Sequence, residues 1–316
     1  MIEKNRIYFM GSGKIAVPVL KALVKAENIN LLGIGTQVDQ RAGRGKGKRP
    51  TPVGQFAAEN NLEADKIESV KDPVFMDKMR SLNLDFIVVV SFGQILRQEL
   101  LDIPGCCCLN VHASILPKYR GASPISAAIL NGDADSGIAF MKMDKGLDTG
   151  AVYKIFKMPL QGNEYADSLE NELGNLAAES IEKVLIQIKS GQLTAQKQDE
   201  KQATLTNKVK KNDGEIVWNL PAEKIEAMVR AYHPWPGAYF TLQGKKGQIK
   251  LNIIEACCVN DVAGEAGEVL QADKKALIIA CGEGALEILR LIPQGKKEMS
   301  GPAFLNGHRL DSGTKI

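Results

Sequence analysis

The sequence predicts an α/β protein: a doubly wound, mostly parallel sheet followed by a small β-barrel domain. Three observations carry this prediction. Apolar strands and helical stretches alternate through the first half of the chain. In Asp85-Phe86-Ile87-Val88-Val89-Val90 one acid precedes a continuous apolar run of the kind found in a central parallel strand, buried on both faces. After residue 211 the alternation gives way to short apolar runs punctuated by glycines, the pattern of a small barrel.

Taken in order, Arg6 to Met10 reads as a first buried strand, Ala16 to Lys25 as a helix and Ile29 to Thr36 as a second strand. A polar loop and a helix over Pro52 to Asn60 follow. Asp85 to Val90 and Cys107 to Val111 supply two more strands, so the order is that of a Rossmann-like sheet, whose ligands sit beyond the carboxyl ends of its strands. Gly137 to Met143 and Ala151 to Lys157 read as further strands, separated by a loop rich in turn formers, Asp144 to Gly150. Tyr165 to Lys189 is helical in pattern. The expected domains are residues 1–190, a polar linker over 191–211, and an OB-like barrel over 212–316. In the last, a helix at Ala222 to Ala231 precedes five short strands: Ala238 to Leu242, Lys250 to Ala256, Gly267 to Gln271, Ala276 to Ala280 and Leu286 to Ile292.

Composition narrows the function classes. The chain has 316 residues, 44% of them hydrophobic, which suits a globular protein with a sizeable core and excludes a disordered one. No apolar run approaches the roughly eighteen residues of a membrane span, and Met1 to Arg6 lacks the apolar centre of a signal peptide. A cytoplasmic protein without membrane contact is expected. The six cysteines, Cys106-Cys107-Cys108, Cys257-Cys258 and Cys281, have neither zinc nor disulfide spacing and read as buried small hydrophobes, so no metal is expected. A net charge of +3 is too small to identify a nucleic-acid partner, but its distribution is uneven. Arg41-Ala42-Gly43-Arg44-Gly45-Lys46-Gly47-Lys48-Arg49 sets five positive charges among three glycines with no acid. Such a run cannot build a core and reads as an arm that meets phosphates.

The sharpest chemistry lies at Leu109-Asn110-Val111-His112. Alternation sends Asn110 and His112 to the same face of a strand end, side by side. With Asp148 from the turn-rich loop they would supply an amide donor, a proton carrier and a carboxylate. A competing site is Gly11-Ser12-Gly13-Lys14-Ile15-Ala16, which matches the G-x-G-x-x-A form of a dinucleotide fingerprint. The acid that would hold a ribose is missing there. The second strand ends Gly35-Thr36-Gln37 and Asp39 comes later, so a tight strand-to-helix turn is the better reading. His233, among aromatics and prolines, reads as structural or substrate-contacting, and His308 is given no role.

These residues resemble the 10-formyltetrahydrofolate-dependent formyltransferases, and within them the branch acting on methionyl-tRNA. The likeness rests on Asn110-Val111-His112, Ser114-Ile115-Leu116-Pro117, Tyr119-Arg120-Gly121-Ala122 with Pro124-Ile125, and Met143 to Gly150. Thr36-Gln37 with Ala42 to Lys46, the stretch Lys208 to Trp218, and Arg230-Ala231-Tyr232 with Pro234-Trp235-Pro236 point to the tRNA branch. Two departures stand out: Gly11-Ser12-Gly13 replaces the family's Gly-Thr-Pro, and Lys118 replaces the usual Arg. The resemblance implies transfer of a formyl group from 10-formyltetrahydrofolate to the α-amine of methionyl initiator tRNA. It implies Asn110, His112 and Asp148 as the catalytic set, with Ser114, Ile115, Leu116 and Pro117 walling the folate. Arg41, Arg44, Lys46, Lys48 and Lys208 would contact tRNA, and the working unit would be a monomer. The rivals are a formyltransferase acting on a small amine or a hydrolase that releases formate, an NAD-dependent oxidoreductase with the Gly11-Ser12-Gly13 loop as its site, and an RNA-binding module without catalysis.

Overall fold

The computed structural model describes residues 4–41, 47–244, 247–260, 262, 264–308 and 310–316, the side chains of Gln40 and Arg41 excepted. The chain forms two compact units, the first made of Met1–Pro124, Asp135–Pro159 and Ser168–Thr206. Its elements begin with β1 (Asn5–Gly11), α1 (Ala16–Lys25), β2 (Ile29–Gln37), the short β3 (Gln40–Arg41) and β4 (Lys48–Arg49), and α2 (Pro52–Glu59). Next come β5 (Asp65–Ile67), α3 (Pro73–Ser81), β6 (Phe86–Val90), α4 (Gln98–Leu101), β7 (Cys107–His112) and β8 (Arg120–Gly121). After α5 (Pro124–Asn131), most of which belongs to the second unit, come β9 (Asp135–Lys142), β10 (Val152–Pro159), α6 (Ala166–Lys189) and β11 (Leu205–Thr206).

Seven strands form one sheet in the order β10-β9-β7-β6-β1-β2-β5. The five from β5 to β7 pair in parallel, whereas β9 and β10 run antiparallel. Chain order reverses between β1 and β6, the position at which doubly wound sheets open a crevice. Each central strand is buried because both faces are covered. On one face Tyr8, Met10, Ile87, Val89 and Cys108 pack with Phe75, Met76 and Met79 of α3 and with Leu100 and Leu101 of α4. The helices that the sequence predicts have clear stripes: α1 buries Ala16, Val19, Leu20 and Leu23, three and four apart.

β5 and α3 have no counterpart in the sequence reading. β5 is only Asp-Lys-Ile at the sheet edge, too short to show a period. For α3 a signal existed: Asp72 accepts from the Val74 N–H at 2.9 Å, and Pro73 follows at the first helical position.

The second unit comprises Ile125–Ala134, Leu160–Asp167 and Asn207–Ile316. It contains α7 (Ala222–Ala231), β12 (Ala238–Gly244), β13 (Gly247–Val259), β14 (Val269–Ala272), β15 (Leu277–Ala280), β16 (Ala285–Pro293), β17 (Met299–Ser300) and α8 (Gly301–Leu305). The strands pair antiparallel in the order β12-β13-β16-β15-β14, with β17 on β16, and make the curled half-barrel of an OB-like domain. Register shifts near Glu255 mark a bulge at which the long β13 bends to serve both neighbours. Trp218 and Phe240 meet edge to face at 5.4 Å inside this core.

Candidate active site

Alternation along β7 puts Cys108, Asn110 and His112 on one face. Cys108 belongs to the apolar cluster, and the two polar residues continue that row toward the carboxyl edge of the sheet. At 9% and 6% exposure they are buried, so their polar atoms need partners.

His112 finds one in the backbone. Its Nε2 lies 2.9 Å from the carbonyl oxygen of Tyr119. A carbonyl only accepts, so Nε2 carries the proton, and the Nδ1 of a neutral ring keeps its lone pair. That Nδ1 faces Asp148 Oδ2 at 3.7 Å, a distance for charge pairing rather than a direct hydrogen bond. In the sequence reading Asp148 either orients or charges the imidazole. Here Tyr119 orients it, and Asp148 supplies charge beside it.

Asp148 is itself fixed from two sides. Its Oδ1 accepts from Asn110 Nδ2 at 3.2 Å and its Oδ2 from the Gly121 N–H at 2.8 Å. The first bond uses one hydrogen of the Asn110 amide and leaves the other for a ligand. Because β9 is antiparallel to β7, its last residue Lys142 pairs with Leu109, at the buried part of the strand. The loop after β9 must therefore turn back to bring Asp148 over Asn110. At φ +54° Asp148 is in the left-handed region, where few residues other than Gly, Asn and Asp sit.

Behind the site lies a layer of residues to which the sequence reading gives no role. Gln198 is buried and bonds to the backbone of Asp148 and Gly150. Arg120, also buried, bonds Gln198 and the exposed Glu200. Gln198 lies in a polar stretch whose composition suggests a linker, yet residues 196–206 are structured on the first unit. Gln196 pairs with Val152, and β11 pairs in parallel with β8.

The loop after β7 is tightly folded. Ser114 Oγ donates to the Lys118 carbonyl at 2.6 Å, and Leu116 is buried with Ala139 and Met141. Ile115 and Pro117 are half-buried, so they and the backbone are the parts of this loop that a ligand can meet. Of the basic residues, Lys48 and Lys208 are exposed. Arg44 and Lys46 lie outside the described residues, as does the side chain of Arg41; β3 and β4 pair antiparallel on either side of residues 42–46.

The turn at Gly11 is occupied by structural work. The Ser12 and Gly13 N–H groups both donate to the Ser91 carbonyl at 3.2 Å, and Ser12 Oγ accepts from the Gln37 N–H at 3.1 Å. Asp39 pairs with Lys66 at 2.5 Å. Amides used in this way do not cradle a pyrophosphate, and the dinucleotide reading loses its site. Burial pushes the Cys107 thiol up to about 11 and that of Cys281 up to about 12, with Cys108 raised further. Cys106, Cys257 and Cys258 are only half-buried. Among the described residues no group of three His, Cys, Asp or Glu is arranged to hold a metal ion. His233 packs edge to face on Tyr165 at 5.3 Å, and His308 stacks on Phe304.

Comparison with known proteins fits this geometry. Residues 5–185 match the family model described as formyl transferase, and residues 208–309 that of the formyl transferase C-terminal domain. A methionyl-tRNA formyltransferase from Geobacter metallireducens is 39% identical over 311 residues, covering 98% of each chain. One from Caldanaerobacter subterraneus is 40% identical over 311 residues, covering 98% of this chain and 99% of the relative. The crystal structure of an N-formyltransferase from Helicobacter canadensis, in complex with folinic acid and dTDP-3-aminofucose, shares the fold. It has a TM-score of 0.65 at 17% identity and covers 93% of this chain and 100% of that one.

Proposed function

We propose, because this chain belongs to the methionyl-tRNA formyltransferase family, that Asn110, His112 and Asp148 divide among them the work of moving a formyl group. The enzyme transfers formyl from formyl-tetrahydrofolate to methionyl-tRNA. The donor is the 10-formyl form, and the acceptor is the α-amine of the initiator tRNA's methionine. A bond forms between that amine and the formyl carbon, the carbonyl oxygen becomes an oxyanion, and the bond to the folate nitrogen then breaks.

The observation that carries this reading is the Nε2 contact to Tyr119, which leaves the His112 lone pair on Nδ1 beside the Asp148 carboxylate. Nδ1 takes the proton that the amine sheds and returns it to the departing folate nitrogen. The spare N–H of Asn110 meets the developing oxyanion. Asp148 balances the charge that appears on the ring. The loop Ser114 to Pro117 walls the folate with its backbone, Ile115 and Pro117, while the buried Leu116 shapes the wall from behind.

Arg41, Arg44, Lys46 and Lys48 of the basic run, and Lys208 of the second unit, meet tRNA phosphates. Neutralising Arg41, Arg44 and Lys46 together is expected to weaken tRNA binding. It should also flatten the plot of log affinity against log salt by up to about 0.9 for each phosphate that the variant no longer neutralises. An unchanged slope in a binding titration would mean that the run is only solvated. Among the described residues no helix is long and apolar enough to cross a membrane.

The decisive assay incubates the purified chain with 10-formyltetrahydrofolate and either methionyl initiator tRNA or free methionine. Formyl-methionine on tRNA, and little on the free amino acid, is the expected result. Formylation of free methionine alone would move the assignment to a small-amine enzyme.

A further inference from the structure

We propose that Gln198 is the positioning residue of the active-site carboxylate. It holds the loop from Asp148 to Gly150 in the one backbone conformation that presents Asp148 to Asn110 and His112, and it ties that loop to the segment that orients the imidazole. This rests on the reading of Asp148 as part of the catalytic set.

The hydrogen bonds leave Gln198 a single orientation. Its Nε2 donates to the carbonyls of Asp148 at 2.8 Å and Gly150 at 2.7 Å, and its Oε1 accepts from Arg120 Nε at 3.0 Å. The two carbonyls only accept and the guanidinium only donates, so a flipped amide would face repulsion at every contact. The side chain is 7% exposed, so water does not replace these partners at low cost. What it grips matters. Asp148 has φ +54°, a conformation that persists in a non-glycine residue only when its surroundings over-determine it. The carboxylate end is held by Asn110 and Gly121; the carbonyl end is held by Gln198.

The same segment reaches the imidazole. Arg120, bonded to Gln198, forms a two-point pair with Glu200 at 2.8 and 2.9 Å. Thr204 Oγ1 accepts from the Tyr119 N–H at 2.8 Å, and the Thr204 carbonyl accepts from the Arg120 N–H at 2.9 Å. Tyr119, whose carbonyl faces His112 Nε2, is thus fastened to residues 198–206 as the Asp148 loop is. One polar strap, remote in sequence from the strand end, sets both the carboxylate and the ring.

The test is a double-mutant cycle on single-turnover formyl transfer, with Gln198→Met and Asp148→Asn. Methionine matches glutamine in length and offers no partner to the two carbonyls. Gln198→Met is expected to slow transfer by about ten- to a hundredfold, the scale of a displaced catalytic group, with KM for both substrates within about threefold. In the Asp148→Asn background the same change should cost less than about threefold, because the group it positions is already gone. An equal loss in both backgrounds, or a rate within about threefold of wild type, would overturn the role. Full activity of Asp148→Asn alone would instead remove the carboxylate from the mechanism, and the positioning role with it. Should Gln198→Met fail to fold, Glu200→Ala carries the cycle from the exposed end of the strap. A smaller loss, about three- to tenfold, is expected there in the wild-type background only, and no loss overturns the proposal.

Discussion

The His112→Ala variant is expected to transfer formyl groups about two to four orders of magnitude more slowly than the wild-type chain, the range that a positioned general acid-base contributes. The reason is the geometry of one ring. Nε2 is committed to the Tyr119 carbonyl, so a single nitrogen, Nδ1, is available to carry the proton, and the other two imidazoles pack elsewhere, on Tyr165 and Phe304. The loss should appear in kcat, measured with both substrates saturating, while KM changes by no more than about threefold, because a proton relay acts in the transition state rather than in binding. Removing the ring also takes away one hydrogen bond to the half-buried Tyr119 carbonyl, a contribution of about 0.5–1.5 kcal/mol to stability. A thermal melt alongside the kinetics separates that cost from the missing chemistry. A variant that stays folded and within about threefold of wild type would exclude His112 as the proton carrier.

Asn110→Ala is expected to lower kcat by about two to three orders of magnitude, the loss measured when one oxyanion donor is removed. Asn110 is buried, and one of its two N–H bonds is spent on Asp148. The substitution therefore removes the oxyanion donor and one support of the carboxylate together. Asn110→Asp removes both N–H donors without changing the size of the side chain. It keeps the shape but sets a carboxylate where a donor is needed, 3.2 Å from Asp148 Oδ1. It should be no more active than the alanine variant. Activity of Asn110→Asp near wild type would show that the amide hydrogens do not meet the oxyanion.

The two variants also differ in how they combine with Asp148→Asn. Both residues approach the same carboxylate, so neither pair should be additive. The shortfall in each double variant measures how far the three side chains act as a unit.

Much of the fold was legible because burial leaves a periodic trace. The bounds of α1 and α7 coincide with the apolar stripes Ala16 to Lys25 and Ala222 to Ala231. The central strands show as unbroken apolar runs because parallel strands are covered on both faces. The edge strand β5 left no such trace, and α3 was marked by its Asp72-Pro73 start and a short stripe, Phe75, Met76 and Met79. Asn110 and His112 were legible for a local reason: a period of two fixes the face they share, whatever lies opposite.

The remainder of the site is decided by tertiary structure. Gln198 sits in a run of Lys, Gln, Asn and Thr, where nothing in its neighbours distinguishes a buried amide from a solvated one. Only the folded chain shows it between two carbonyls and a guanidinium. Likewise, the orienting contact of His112 is a backbone carbonyl, which every residue possesses and no side-chain pattern marks. By itself the sequence determined the central strands of the sheet, the strand end and the chemical types that meet there, since local periodicity and residue chemistry suffice for those. Which atom turns the ring, and which strap holds Asp148 in its left-handed backbone, depends on hydrogen bonds between segments up to 85 residues apart. Those bonds exist only once the chain has closed on itself.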